Sequence, residues 1–373
     1  MSEQGFTGIP LNMLPSGPAA LLPPWITGTV QTSVGNVNRI ATTWDVNDRR
    51  GQIKARISDR FRMAYTVKPG LFAVGNPTAE SPVLLSANYK LSFDILRREL
   101  AGIDAWVLVL ETQGINVWCA AGKGTFGTDE IIRQIRSAGL EKLVKHHKII
   151  SPQLGAPGIK SHLVKKTTGF RIKFGPVEAR DIRRYLDSGE KVTPEMRRVT
   201  FDIKARTVLV PMELSMVMGK SWMVVLGFLM FFGLMPQGIL FNQIYAAGLP
   251  ALLLFLAAVL TGAGLTPILL PWIPFRSFTV KGFLLGLLPV GFVHYLTAFY
   301  VTPFDNLFLL GASYLVFPAL SGYLAFNFTG CSTFTSPSGV TKELTILLKV
   351  YAVLLLIAIV LLICYKLQIW GIL

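Results

Sequence analysis

One stretch of the chain gathers most of the residues that could do chemistry. After an apolar run ending at Leu110, residues 111–130 read ETQGINVWCAAGKGTFGTDE. Several chemistries compete for it. Gly122, Gly124 and Gly127 spell G-x-G-x-x-G, but a dinucleotide-binding turn follows its strand directly, and here residues 111–121 intervene. Gly122-Lys123 is no P-loop, because the earlier glycine of that motif would fall on Val117. Cys119 could be a nucleophile served by His146, His147 or His162, although no cysteine-hydrolase signature surrounds it. It could equally be a small buried cysteine on a short helix. The remaining reading makes it a metal ligand. Asn116 caps a short helix carrying Trp118 and Cys119, and the glycines from Gly122 end it. One thiolate cannot hold zinc or an iron–sulfur cluster, and the chain has no Cys-x-x-Cys. A single axial ligand suits a macrocycle that already supplies four nitrogens.

The elements around this stretch alternate. Strands are expected at Leu71–Gly75, Val83–Ser86, Ala105–Leu110, Lys148–Ser151 and Phe170–Phe174. Helices are expected at Tyr89–Leu100, Asp129–Ala138, Ile159–Lys166 and Val177–Leu186. That order predicts an α/β sheet. In such sheets ligands sit beyond the carboxyl ends of the strands, which is where the Cys119 stretch falls. Residues 1–35 are rich in Pro, Gly, Ser and Thr without a persistent period and read as an irregular arm.

Composition adds a second half of different character. Mean hydropathy is +0.50 and only 15% of residues are charged, which is unlike a soluble protein of this length. Residues 1–220 hold 31 Lys and Arg against 19 Asp and Glu, and residues 221–373 hold 5 against 2. Five apolar stretches, near 221–240, 246–270, 280–300, 306–327 and 346–365, each approach the roughly 20 residues needed to span a bilayer. Arg276 and Lys281 flank the second connecting loop, and Lys342 and Lys349 follow the fourth. The first loop lacks Lys and Arg, and the third has only Asp305. This alternation puts the amino-terminal half in the cytoplasm and the chain in the inner membrane as a multi-pass protein. The basic front half suits an anionic lipid surface or an acidic protein better than nucleic acid, for which no binding signature is visible. Cys119, Cys331 and Cys364 are too far apart in sequence to suggest a disulfide framework. His294 is the one ionisable residue placed deep in an apolar stretch, and a hydrogen bond to a neighbouring helix accounts for it. Anchoring is therefore the expected role of this half.

The run Asn116-Val117-Trp118-Cys119-Ala120-Ala121-Gly122-Lys123 resembles the cap-helix motif of the HgcA family, the corrinoid proteins of microbial mercury methylation. The resemblance extends through Ser81-Pro82-Val83, Ser86-Ala87-Asn88-Tyr89-Lys90, Pro152 to Gly158 and Gly175 to Ile182, and the helical tail agrees with it. It implies a Rossmann-like corrinoid-binding α/β domain, similar to that of the corrinoid iron–sulfur protein, followed by an α-helical transmembrane domain of about five helices. The expected boundaries are an arm at 1–50, the corrinoid-binding domain at 51–206 and the membrane domain at 207–373.

The resemblance also implies roles. Cys119 matches the family's lower axial cobalt ligand, on a cobalamin or other corrinoid carried as methylcobalamin. Asn116, Val117, Trp118, Ala120, Ala121, Gly122 and Lys123 match the surrounding cap helix. Ser86, Ser92 and Ala179 fall where the family lines the corrin, with serine at the first two where threonine is expected. The implied activity is a cobalamin-dependent methyltransferase that passes a methyl group from methyl–Co(III) to Hg(II), forming methylmercury. The methyl donor would be a methylated folate or pterin, and the electron donor an HgcB-like ferredoxin with two [4Fe-4S] clusters. The competing readings are a membrane-anchored corrinoid methyl carrier of one-carbon metabolism with a non-mercury acceptor, and a non-catalytic corrinoid sensor or uptake protein. Cys331, in an expected cytoplasmic loop, is a weaker candidate for relaying Hg(II).

Overall fold

The structure is a computed structural model and describes residues 22–219, 221–241, 244–297 and 306–373. Residues 1–21 of the expected arm and Asp305 lie outside the described residues, as does the side chain of Cys331. The chain divides into two compact units. One comprises the residues up to Asp48 together with Val67–Val192, and the other Arg49–Thr66 with Thr193–Leu373. Residues 51–66 and 193–206, expected within the corrinoid-binding domain, and Arg49 and Arg50 of the expected arm thus fall with the helical unit.

The first unit is a mixed α/β domain on a seven-stranded sheet. Its strands are β1 (Ile26–Thr32), β2 (Gly35–Ile40), β3 (Gly70–Val74), β4 (Val83–Ala87), β5 (Ala105–Leu110), β6 (Lys148–Ser151) and β7 (Arg171–Phe174), in the order β1-β2-β3-β5-β4-β6-β7. The run β5-β4-β6-β7 is parallel throughout, while β3 lies antiparallel to β5. β4 and β5 read VLLSA and AWVLVL, and every residue in them is buried, as expected of parallel strands covered on both faces. The helices are α1 (Val46–Ala55), α2 (Asp59–Ala64), α3 (Lys90–Glu99), α4 (Val117–Lys123), α5 (Thr128–Ser137), α6 (Leu140–Leu143), α7 (Ser161–Thr168) and α8 (Ile182–Asp187); α2 and all of α1 after Asp48 belong to the second unit. Leu85, Leu108, Leu110, Phe126, Ile131 and Phe170 lie at the centre of the core.

The irregular arm expected at 1–50 is overturned for its described part. β1 and β2 form a hairpin across Ser33 and Val34, in register from Thr29↔Asn38 to Thr32↔Gly35, and β2 joins the sheet parallel to β3. Isolated polar residues in GTVQT and GNVNRI hide a strand that is only half-buried on alternate residues, so composition reads as loop. Residues after the hairpin feed an ionic cluster. Arg97 on α3 is fully buried and pairs with Asp48 at 2.6 Å and Asp94 at 2.8 Å; Lys90 contacts the same two carboxylates at 3.1 and 2.5 Å. The Arg97 guanidinium also donates to the carbonyls of Ala41 and Thr43, which ties the chain after the hairpin to α3.

The second unit is helical. Among the described residues, four helices are long and apolar enough to cross a membrane: Ile244–Leu269, Phe278–Leu296, Leu307–Gly330 and Ser338–Ile369. A fifth arises only if Ile203–Met218 and Ser221–Gly233, which are bent against each other, count as one span. The expected single helix at 221–240 therefore does not form. It stops at Gly233, and Leu234–Met235 pairs with Gly238–Ile239 in a tight hairpin around Pro236, which has no N–H to continue a helix. Small residues let the helices approach closely. A Cβ on Gly262 or Gly282 would strike the Ser321 carbonyl, and the Ser321 hydroxyl donates to the Gly282 carbonyl at 2.7 Å. His294 Nε2 lies 3.5 Å from the Ser313 hydroxyl on the next helix.

The ionic cluster predicts a pH dependence. Burial works against ionisation of Asp48, but the hydrogen bond from Arg97, the Asp45 amide and the charges of Lys90 and Arg97 outweigh it and hold the carboxyl below its usual range. A carboxyl that is more acidic in the folded chain stabilises it above the unfolded pKa. That contribution is lost as the pH falls through the lower folded value. Arg97→Ala leaves two buried carboxylates under-compensated, and about 3–5 kcal/mol should be lost at neutral pH. Urea titrations of the detergent-solubilised chain at pH 7 and below about pH 3.9, the ordinary aspartate value, should show the smaller loss in acid. An equal loss at both would contradict this account.

Candidate functional site

β4 and β6 are neighbours, yet the connection after β4 leads outward to β5 and the one after β6 leads to β7 on the other side. The carboxyl ends of β4 and β6 therefore bound the crevice where strand order reverses, the usual ligand position in open α/β sheets. The Cys119 stretch is built over it. α4 contacts β4 and the 3₁₀ turn Gln153–Gly158 that follows β6.

Two devices place α4. The first is the loop between β5 and α4, which is organised by the buried side chain of Asn88, just past β4. Its Oδ1 accepts from the Thr112 amide at 3.1 Å and the Gly114 amide at 3.0 Å, and its Nδ2 donates to Glu111 at 2.8 Å. The Thr112 hydroxyl lies 2.8 Å from Asn88 Oδ1 and 2.7 Å from the Ile115 carbonyl, one proton between two acceptors. Glu130 on α5 accepts from the Glu111 amide at 2.7 Å. These bonds hold Gln113 and Gly114 at φ +57° and +70°, the turn that sends the chain back over the sheet.

The second device is the helix itself. The Asn116 side chain accepts from the Cys119 amide at 3.0 Å, satisfying one of the free N–H groups of the first turn, and Gly124 closes the helix at φ +82°. Ala120 and Ala121 are buried and face down. A Cβ on Gly158 would lie 2.4 Å from the Phe126 carbonyl and 3.0 Å from that of Ala121, so only glycine lets the post-β6 turn close against α4. The G-x-G-x-x-G spacing is thereby explained without a nucleotide: Gly124 caps the helix and Gly127 packs on the Gly124 carbonyl.

The outer face of α4 is formed by Trp118, Cys119, Gly122 and Lys123, all exposed. Cys119 and Gly122 are three residues apart and share that face. A Cβ built on Gly122 meets nothing within 4 Å, so a bare patch of helix backbone lies beside the thiol. The reading of Cys119 as a buried structural cysteine is overturned by this exposure. Two of the three candidate histidines are engaged elsewhere. His146 bonds the Ser81 carbonyl at 2.8 Å and His147 packs on Phe170, both before the amino end of β6 and so at the opposite edge of the sheet. His162 is exposed on α7. Among the described residues, no group of three or more His, Cys, Asp or Glu is placed to hold a metal ion.

The remaining expected residues reach the same edge by topology. Ser86 is the last residue but one of β4, Ser92 is in the first turn of α3, and Ala179 follows β7. Ser86 is buried, with its hydroxyl 3.2 Å from the Ala87 carbonyl, while Ser92 and Ala179 are half-buried. Asn88, Thr112 and Gly158 are the residues sequence reasoning did not single out. Asn88 and Gly158 stood in runs quoted for the family resemblance, but their work depends on loops distant in sequence.

Comparison with known proteins falls mainly on this unit, with residues 54–66 of the match in the helical one. Residues 54–186 match the family described as CO dehydrogenase/acetyl-CoA synthase delta subunit. Acetyl-CoA decarbonylase/synthase complex subunit gamma of Methanosarcina acetivorans is 32% identical over 130 residues, 34% of this chain and 27% of that protein. The proteins of that name from Archaeoglobus fulgidus and Methanopyrus kandleri are 28% and 29% identical over 128 residues, again 34% and 27% of the two chains. The chain thus spans about a quarter of the length of these curated relatives, and the matched segment runs from the end of α1 to α8, including α4.

The contact under α4 can be tested apart from any chemistry. Gly158→Ala overpacks it and should cost about 1–3 kcal/mol. Hydrogen exchange should show amides 117–124 losing protection before those of β4 and β5. Uniform loss across the sheet would mean that the turn supports the whole core rather than the helix.

Proposed function

We propose that this chain is a membrane-anchored corrinoid protein of methyl transfer, with Cys119 as the lower axial ligand of the cobalt and Hg(II) as the methyl acceptor. The observation that carries the reading is the outer face of α4: a single exposed thiol beside a bare glycine, standing over the crevice between β4 and β6. A flat macrocycle needs such a side-chain-free approach and one donor, and the residues present fit both. The relatedness to acetyl-CoA decarbonylase/synthase gamma and CO dehydrogenase/acetyl-CoA synthase delta subunits, proteins of corrinoid one-carbon chemistry, supports the cofactor. The resemblance of the 116–123 run to the cap helix of mercury-methylating corrinoid proteins supports the acceptor.

The corrinoid, when bound, supplies the cobalt that accepts and releases the methyl group. The chain's own residues do the rest. Cys119 would hold the cobalt through its sulfur, a soft donor that would favour methyl release to a soft acceptor such as Hg(II). Asn116 fixes the first turn of the helix that carries the sulfur, and Trp118, Gly122, Ser86, Ser92 and Ala179 are the further residues that would hold the macrocycle. The chain offers no cysteine cluster of its own, so an HgcB-like ferredoxin with two [4Fe-4S] clusters serves as reductant. A methylated folate or pterin system serves as methyl source. The apolar helices hold the unit at the cytoplasmic face of the inner membrane. The names of the relatives favour one second reading, a carrier of the same build with an acceptor of one-carbon metabolism in place of mercury.

Anaerobic reconstitution with methylcobalamin separates the parts of this proposal. Wild type should show a thiolate-to-cobalt visible spectrum and form methylmercury, and Cys119→Ala should lose both; an unchanged spectrum in Cys119→Ala would remove the axial-ligand role. A bound corrinoid with methyl transfer to a thiol and none to Hg(II) would favour the second reading. Gly122→Ala offers a sharper contrast. It meets no atom and replaces a helical glycine, so thermal stability should hold or rise by up to about 1 kcal/mol. Corrinoid affinity should nonetheless fall at least tenfold in a binding titration, and unchanged affinity would mean that the macrocycle does not lie on this face.

A further inference from the structure

A cleft of about 1440 Å³ opens between the first turns of the helices Phe278–Thr297 and Pro337–Ile369. Its lining changes character along its length. At the helix starts it carries Arg276, Lys342, Ser277 and Glu343; farther along it is walled by Phe283, Leu284, Leu347, Val350 and Leu354. From Lys342 to Leu354 the wall runs for about 18 Å at the helical rise. The acidic group is already engaged, since Glu343 accepts from the Ser277 hydroxyl at 2.8 Å and the Thr279 amide at 2.7 Å. Lys281 is buried and donates to the Leu270 carbonyl. Arg276 and Lys342 remain exposed at the mouth, and no ion pair involves either among the described residues.

This combination has a specific chemical match. The volume exceeds the roughly 300–1,000 Å³ of small-molecule sites. A long apolar wall beneath two unpaired cations suits a molecule with an anionic head and a hydrocarbon tail, and basic clefts between membrane helices on the cytoplasmic side bind anionic lipid head groups. We propose that the cleft holds one anionic phospholipid, its phosphate between Arg276 and Lys342 and an acyl chain along Leu347, Val350 and Leu354. This rests on the reading of the second unit as membrane-spanning.

The test uses the full chain in nanodiscs of equimolar phosphatidylglycerol and phosphatidylcholine, with retained lipid identified by native mass spectrometry after transfer to detergent. Wild type should retain phosphatidylglycerol in preference to phosphatidylcholine. Arg276→Gln with Lys342→Gln should lower that preference by roughly fivefold for each charge removed, the worth of one basic residue near an anionic surface. Lys165→Gln with Lys166→Gln, an equal charge change on exposed α7, should leave it intact. Val350→Trp, which fills the cleft, should expel the lipid without changing charge, so misfolding of the double variant does not stall the test. Equal retention of both lipids by wild type, or an undiminished preference in the double variant, overturns the lipid site alone. Recovery of the chain in the soluble fraction without detergent overturns the membrane reading and the lipid site with it.

Discussion

Everything at the carboxyl edge of the sheet hangs on one amide, the side chain of Asn88. It is 4% exposed and bonds, through both its oxygen and its nitrogen, to a loop more than twenty residues later in the chain. Without it, the amides of Thr112 and Gly114 would be buried with no acceptor, at about 1–3 kcal/mol for each group left unsatisfied. Gln113, in the left-handed region that an ordinary side chain enters at a cost of about 1–2 kcal/mol, would keep only its amide bond to Glu111 at 2.7 Å. The loop has one geometry because the Asn88 side chain bonds Glu111, Thr112 and Gly114 at once. The first residue of α4 therefore starts at a fixed place above the crevice between β4 and β6. The position of Cys119 is a consequence of polar bookkeeping underneath it.

A second constraint acts from the opposite direction. Arg97 bonds two carboxylates and two backbone carbonyls in a fully buried position, and so fixes α3, the helix that follows Asn88. A buried ionic cluster gives little net stability compared with apolar packing, but it penalises every arrangement that breaks it. Here the two carboxylates arrive from different elements, Asp48 at the start of α1 and Asp94 on α3 itself. The Asp94 pair forms within α3, so it is Asp48 that requires one docking of the segment after the amino-terminal hairpin.

What was legible in the sequence follows from how local each signal is. β4 and β5 are continuous apolar runs, and the turn chemistry of Asn116 and Gly124 lies within nine residues, so strands and cap helix can be read from neighbours alone. The hairpin Ile26–Ile40 could not be. Its polar half-buried strands earn their place by pairing with β3, whose nearest residue is thirty positions away. The glycine-rich run was legible as unusual but not in its meaning. Gly124 and Gly127 serve the cap, whereas the partner that demands glycine most strongly, Gly158, approaches from the far side of β6. The first apolar stretch misled for a related reason. Composition to residue 240 favours a span, and one imino acid near Gly233 turns its end into a hairpin.

Exposure of Cys119 is the feature that local packing does not require. Two turns of helix with Ala120 and Ala121 facing the core leave the opposite positions free to be any helix-forming polar residue. Instead that face combines a tryptophan 39% exposed, a thiol, and a glycine in the helix interior, each unfavourable at a solvated surface. The glycine is the most telling of the three. Alanine would fit there with no contact closer than 4 Å and would strengthen the helix, so the absence of a side chain at Gly122 serves something other than the fold. A large flat partner that must approach the sulfur one turn away needs the space above a helix backbone to be empty. The same partner would cover the tryptophan and remove the penalty of its exposure. Three locally unfavourable choices on one face become consistent once that face is covered.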